Sequence, residues 1–348
     1  MSDRKAEHIQ IVINEDVNAH YRYWDDIELF HEALPDIDLD EISTAAELFG
    51  KKLSAPIVIT GMTGGFSGAT SINRNLAKAA AEMGIGFGVG SERAAVSKGE
   101  FPESYTVVKD YNVPLKLANI GAPQLIEQKP GDKVMGVEEA TKAMELIGAN
   151  VLAVHLNFLQ EWVQPEGERK AKGCISRIAA LSQRLPVVAK ETGAGISIDT
   201  ARRLKQAGVI GFDISGRGGT SFAAVEYFRA LKRGDKLRER IGKTLWDWGI
   251  PSPVSVMELS SLRVPIIASG GIRTGLDVAR AISIGADSAG IAGGIISAAT
   301  QGYDETLAEL TRLVEELKAV MFLTGSRNVK ELRAVRKVIR GETRLWIE

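Results

Sequence analysis

Short apolar runs rich in Val, Ile and small residues recur along the chain, and each closes in glycine or polar residues. They are APIVITGM (55–62), GIGFGVG (84–90), PLKLANI (114–120), VLAVHL (151–156), PVVAKE (186–191), GFDIS (211–215), PIIASGG (265–271) and SAGIAGG (288–294). The spacing of about 25 to 40 residues is what a strand plus a crossover helix needs. The runs are continuously apolar rather than alternating, as expected of parallel strands covered on both faces. Between them, INRNLAKAAAEM and SIDTARRLKQAG carry a helical period, the second with Ser197 or Asp199 placed as N-cap. Eight such units predict a single (β/α)8 TIM barrel over residues 54–300, and a doubly wound sheet fits them less well. Residues 1–53 form a mixed leader. DETLAELTRLVEELKAVMFLTG and NVKELRAVRKVI, within 301–348, predict two amphipathic C-terminal helices. The long segment 216–264, between the sixth and seventh strands, predicts a helix near 222–233 and then a flexible lid.

Composition narrows the function classes. With 43 Lys and Arg against 44 Asp and Glu, the net charge is −1, so no basic field gathers nucleic acid or anionic membrane. Any anionic ligand must be held by local groups. The single cysteine, Cys174, allows neither an intrachain disulfide nor a cysteine-rich zinc site, and it reads as a small buried residue. The start MSDRKAEHIQIV lacks the apolar core of a signal peptide, and no apolar stretch approaches the roughly 20 residues that span a bilayer. The expectation is a cytoplasmic protein with no membrane or nucleic-acid partner.

In a barrel of this kind, the loops after the C-terminal ends of the strands form the mouth. In order, those ends read TGMTGG, GSER, ANIGAPQ, HLNFLQE, KETG, SGRGGTS, SGGIRTG and AGG. The last three combine glycines, the hydroxyls of Ser215 and Thr220, and helix starts with free amides, which suits a phosphate. Lys190 ends an apolar strand and points into the mouth, where it would stabilise negative charge on a bound ring system or form a Schiff base. Thr63, Ser91 and Asn119 are short polar groups suited to the edge of such a ring. Arg93, with His155 and Gln160, suits a second phosphate. Arg4 and Lys5, judged on their residues alone, read as a solvated, disordered terminus. Glu161 has no second carboxylate close in sequence, so it suits Mg²⁺ held by one carboxylate, waters and substrate phosphate. The pairs Trp246/Trp248 and Tyr21–Trp24 suit loop cover or subunit contacts.

Taken together, DRKAEHI (3–9), TGMTGG (60–65), GSER (90–93), HLNFLQE (155–161), KETGAGIS (190–197), SGRGGTSF (215–222) and SGGIRTG (269–275) resemble type 2 isopentenyl-diphosphate isomerase across almost the whole chain. The N-terminal Arg-Lys and the H-x-N-x-x-Q-E string are the most specific parts; the glycine-rich ends alone would fit many FMN barrels. The resemblance implies interconversion of isopentenyl and dimethylallyl diphosphate in isoprenoid biosynthesis. It also implies reduced FMN, Mg²⁺, NADPH as reductant, and a homo-oligomer, tetramer or octamer. It places Thr60, Gly61, Met62, Thr63, Ser91, Asn119, Lys190, Ser215 and Thr220 around the flavin, and the flavin phosphate on Gly270, Gly271, Arg273, Ala292 and Gly293. Arg4, Lys5, Ser91, Arg93, His155, Asn157 and Gln160 would bind substrate, with Glu161 on Mg²⁺. Arg4 and Lys5 would then order on binding. Gly61 and Glu92 stand where relatives often carry other residues.

Moving an unactivated double bond requires a proton added at one carbon and another removed two carbons away. No pair of acidic side chains is evident for this, so the reduced flavin is the expected acid and base. Lys190, His155 and Gln160 are the side chains expected beside the reaction. A rival on the same barrel is an FMN-dependent oxidoreductase of the 2-hydroxyacid oxidase type. It would need a strand-end His late in the barrel, and the four His fall at 8, 20, 31 and 155. A non-catalytic phosphate-ligand-binding barrel leaves Lys190 and Glu161 unexplained.

Overall fold

All eight runs form strands in the computed structural model, which describes residues 2–348. They are Ile57–Ile59, Gly86–Gly88, Leu115–Gly121, Val151–His155, Val187–Lys190, Gly211–Asp213, Ile266–Ala268 and Ser288–Ile291. Each pairs in parallel with the next, and the eighth pairs with the first (Ile291 opposite Ile59), so the barrel closes without an edge. Helices shield the outer face. Ser197 is the cap of Ile198–Gln206, its hydroxyl accepting from the Thr200 amide.

The leader plugs the bottom of the barrel. Ala46–Leu48 and Lys51–Leu53 form an antiparallel hairpin whose two-residue turn, Phe49-Gly50, has positive φ at both positions (49° and 72°). Leu48, Leu53 and Phe49 pack against Val58, Leu115, Leu117, Val151, Val188 and Ile267, which point into the barrel. Phe49 reaches so far in that a Cβ on Gly211 would lie 2.6 Å from its ring. With one end sealed by apolar packing, a ligand has only the other end to enter.

Two expectations are corrected. Tyr303–Leu323 is the first C-terminal helix, but the second stops early: Val329–Ala334 is helical and Lys337–Ile339 is a strand. That strand pairs antiparallel with Ile27–Leu29 of the leader, a partner invisible to local periodicity. Segment 216–264 is not a loose lid. It holds the helices Phe222–Arg233, Lys236–Thr244 and Ser252–Ser260, and Trp246 Nε1 donates to the Asn18 carbonyl at 2.8 Å. The element that covers the mouth is the N-terminal helix, Ser2–Asn14. No helix among the described residues is long and apolar enough to cross a membrane.

Buried Asp26 holds leader and C-terminus together by accepting from the Tyr21 hydroxyl (2.7 Å) and the Thr343 amide (2.8 Å). Asp26→Ala leaves these donors without an acceptor and should cost about 1–3 kcal/mol. A lower urea midpoint with no change in the residues at the barrel mouth is the expected outcome; an unchanged midpoint would count against this clasp.

Candidate active site

At the C-terminal ends of the strands lies a cavity of about 370 Å³. Every residue the sequence put forward for catalysis, substrate, cofactor or metal lines it: strand-end groups of the barrel units and, from the N-terminal helix, Arg4 and Lys5. The register explains the centre. Gly121 lies opposite His155, His155 opposite Lys190, and Lys190 opposite Asp213, so one row of the barrel carries three functional side chains.

Lys190 Nζ sits 2.8 Å from Asp213 Oδ2, both buried. The other Asp213 oxygen accepts from the Ser269 hydroxyl, whose oxygen accepts from the Ser215 amide at 3.0 Å. Lys190 is thus a paired ammonium, which disfavours the Schiff-base alternative. Asp213 itself was missed: GFDIS was read for its strand and its serine, not for a counter-ion. Beside Lys190, His155 Nδ1 lies 2.7 Å from Asn119 Oδ1, and Asn119 Nδ2 donates to the Val89 carbonyl at 2.9 Å. Because that carbonyl only accepts, Asn119 presents its oxygen to the ring. The hydrogen of neutral His155 is therefore assigned to Nδ1, leaving the Nε2 lone pair free. Burial, reinforced by the charges of Lys190 and Lys5, pushes His155 down to about 3. Gly121 makes room for this ring, since a Cβ there would lie 2.8 Å from His155 Nε2.

The turn after the fourth strand supplies the next wall. Asn157 precedes the short helix Phe158–Val163, and its Nδ2 donates to Glu161 Oε1 (3.0 Å) and Gln160 Oε1 (3.3 Å). Glu161 Oε2 accepts from Gln164 Nε2 (2.5 Å) and the Glu168 amide (2.8 Å). Burial, with the Glu168 charge adding to it, raises Glu161 above the usual carboxylate range. No cluster of three His, Cys, Asp or Glu suited to a metal exists among the described residues, so a cation here would rely on Glu161 with water and ligand oxygens. Arg93 Nη2 lies 2.7 Å from Glu168 Oε1, and Gln124 Nε2 donates to Glu168 Oε2 at 2.5 Å. Gln124 was in view in ANIGAPQ without a role; nothing in the sequence marked Glu168.

Arg4 and Lys5 are not a disordered terminus. They lie on the N-terminal helix, and Lys5 Nζ donates to the carbonyls of Gly64 and Ser91 (2.7 Å each) and to the Tyr105 hydroxyl (3.1 Å). Burial first, then the neighbouring Arg4 charge, lowers Lys5 to about 7. All three Lys5 donors are spent on protein, so it meets a ligand only by exchanging one of them. Arg4 differs: it lines the cavity and its Nε is buried with no partner, an orphan donor that a bound anion could satisfy.

Across the mouth is a glycine cradle. Gly270 and Gly271 both have φ of 91°, and a Cβ on Gly271 would lie 2.4 Å from the Gly218 carbonyl. A Cβ on Gly293 would lie 2.7 Å from Thr220 Oγ1, where Gly293–Gln301 opens with free amides. Arg273 lines this end, half-buried, with no hydrogen bond from its guanidinium to the described residues. Elsewhere on the cavity wall, next to Gly90, Thr63 Oγ1 is buried and unpartnered. A phosphate-tailed ring cofactor such as FMN fits this donor set.

His155 offers a test of this electrostatics. It stays neutral in the folded chain down to about 3 but would protonate near its ordinary 6.5 once unfolded. Unfolding therefore takes up a proton between those values, and stability falls as the pH drops through them. His155→Gln should lose less stability than the parent between about pH 7 and pH 5. Urea midpoints at the two pH values check this, and equal losses would contradict it.

Comparison with known proteins places the chain. The family model "FMN-dependent dehydrogenase" matches residues 164–338. A Thermoplasma acidophilum protein named isopentenyl-diphosphate delta-isomerase is 49% identical over 99% of this chain and 98% of its own. Proteins of the same name from Picrophilus torridus (43%, covering 100% of this chain and 99% of the relative) and Archaeoglobus fulgidus (41%, 100% and 98%) also match. Among solved structures, a mandelate oxidase variant with an FMN adduct has TM-score 0.61 at 18% identity, covering 97% of this chain and 92% of that one. A flavocytochrome b2 variant with sulfite bound has TM-score 0.65 at 15% identity, covering 94% and 81%. At such identity, these two speak for the barrel fold alone.

Proposed function

Because this chain belongs to the isopentenyl-diphosphate delta-isomerase family, in its FMN-dependent type, and is thus an isomerase, we propose that it converts isopentenyl diphosphate to dimethylallyl diphosphate in the cavity at the barrel mouth. The observation that carries this reading is a single cavity with two separate anion-seeking ends. One is the glycine cradle with Arg273 after strands six to eight; the other is Arg4, Arg93 and Gln160, from the N-terminal helix and the ends of strands two and four. A cofactor with one phosphate and a substrate with a diphosphate need such a pair.

Gly270, Gly271, Arg273, Ala292 and Gly293 would hold the FMN phosphate, and Thr60, Gly61, Met62, Thr63, Ser91, Asn119, Lys190, Ser215 and Thr220 its ring and ribityl chain. Asn119 still has one amide hydrogen for this, the other being on Val89. Bound and reduced, with NADPH as the reductant, FMN supplies the acid/base group and an electron-rich face that the side chains lack. Lys190, fixed by Asp213, holds positive charge beside the ring. Arg4 and Arg93 grip the diphosphate, with Asn157 and Gln160 orienting it. Glu161 meets it through Mg²⁺, held in aim by Asn157, Gln164 and the Glu168 amide. His155, neutral with its Nδ1 hydrogen on Asn119, orients the substrate rather than serving as the acid. The product differs only in double-bond position: one proton enters, one leaves, and no net oxidation occurs.

The test is anaerobic. FMN-loaded protein is reduced, given Mg²⁺ and isopentenyl diphosphate, and the products are analysed. Dimethylallyl diphosphate is expected, and its absence would sink the assignment. A second measurement addresses Glu161. Loss of a metal-aiming outer partner typically costs about 10–100-fold, so Glu161→Gln should lower kcat/KM by at least that and blunt the Mg²⁺ dependence while FMN affinity holds. Loss of FMN instead would show that Glu161 faces the cofactor.

A further inference from the structure

The reaction outlined above leaves one buried charge cluster unused. Arg229, on the helix Phe222–Arg233, has a side chain only 1% exposed, yet it meets three carboxylates from three parts of the chain. Its Nε donates to Glu7 Oε2 at 2.9 Å, Nη1 to Glu226 Oε2 at 2.6 Å, and Nη2 to Glu166 Oε1 at 2.8 Å. Glu226, fully buried, turns its other oxygen to His8 Nε2 at 2.9 Å. Arg233 adds a half-exposed contact to Glu7 at 3.2 Å.

The origins of these carboxylates matter. Glu7 and His8 lie on the N-terminal helix, next to Arg4 and Lys5. Glu166 lies in the stretch that runs from Glu161 to Glu168, which carries the candidate Mg²⁺ carboxylate and the partner of Arg93. The two segments meet at one guanidinium. A planar group with donors on all sides can satisfy three carboxylates at once, which an ammonium on a flexible stem cannot do in the same geometry.

We propose that Arg229 is a positioning residue that locks the N-terminal helix and the 161–168 segment into one geometry, so that the diphosphate half of the cavity is assembled only while this clamp is closed. It touches neither substrate nor cofactor. Gly270, Gly271 and Gly293 of the cradle lie on the loops after strands seven and eight, outside the clamp, while its Thr220 side leads through Ser221 into the clamp helix. The proposal rests on the reading of this cavity as an isopentenyl diphosphate site, but the clamp itself has a readout that does not.

That readout is limited trypsin digestion of the full-length, FMN-loaded protein. Lys5 is half-buried in the docked helix with its Nζ tied to two carbonyls, so the Lys5–Ala6 bond is cut efficiently only when the helix leaves the mouth. Arg229→Lys and Glu166→Gln, each remote in sequence from that bond, should speed its cleavage about tenfold or more, as weakening a buried charged contact implies. FMN affinity and cleavage elsewhere should stay within about twofold of the parent. In the isomerase assay, the same variants should raise KM for isopentenyl diphosphate about tenfold, with kcat changed much less. Parental cleavage at Lys5–Ala6 would overturn the proposal, as would digestion of the whole chain in step with it, or faster cleavage with unchanged KM. If the parent does not isomerise the substrate, the functional reading falls, and cleavage still decides whether the clamp exists.

Discussion

The hydrogen-bond register of strands three to six decides what this barrel mouth can do. In a parallel sheet, residues at one level point the same way, and a slip of one residue reverses every side chain. Here the register aligns Gly121, His155, Lys190 and Asp213 across four neighbouring strands. Closure makes the row permanent, since no strand can slide without disturbing all eight. The glycine admits the imidazole, the lysine lies beside it, and the aspartate neutralises the lysine. Buried charges are tolerated here because each has its partner at hydrogen-bond distance.

The distribution of neutralised and open charge follows from that row. Lys190 is balanced by Asp213, Arg93 is steadied by Glu168, and Lys5 is spent on two carbonyls and a tyrosine hydroxyl. Arg4 and Arg273 remain the cavity-lining cations without a hydrogen-bonded acceptor among the described residues, and they sit at the two ends proposed for phosphates. The middle is close to electrically balanced. That would suit the proposed isomerisation, in which charge appears and disappears on a hydrocarbon and a strong standing field of either sign would trap one form.

Much of this was legible in the sequence, for a physical reason. Strand ends in a parallel barrel are local signals: an apolar run followed at once by glycine or a polar group identifies both the element and its chemistry, as with VLAVHLNFLQE. What the sequence hid was whatever depends on a distant partner. Asp213 looks like an ordinary residue of a short strand until Lys190 is beside it. Glu168 and Arg229 carry no local mark. RKVI reads as a continuing helix because its strand partner, Ile27–Leu29, lies at the other end of the chain. Arg4 and Lys5 looked solvated because local composition cannot show a cavity waiting for them. The supposed lid failed similarly: Trp246 anchors it to Asn18, and the cover comes from the N-terminal helix instead.

The long reach of these contacts bears on how the molecule is made. Glu7 and Arg229 are 222 positions apart, and Asp26 and Thr343 are 317 apart. On a ribosome, the helix that will roof the mouth emerges well before the helix it must grip, and the leader strand waits longer still for Lys337–Ile339. Contacts of such high sequence separation form late and slowly. Barrel closure is itself a distant contact, since Ile59 must meet Ile291, so wall and roof both wait for the later part of the chain. The N-terminal helix that roofs the mouth has no Arg229 to grip until two thirds of the chain has been made, and until then it stands open to proteases and chaperones.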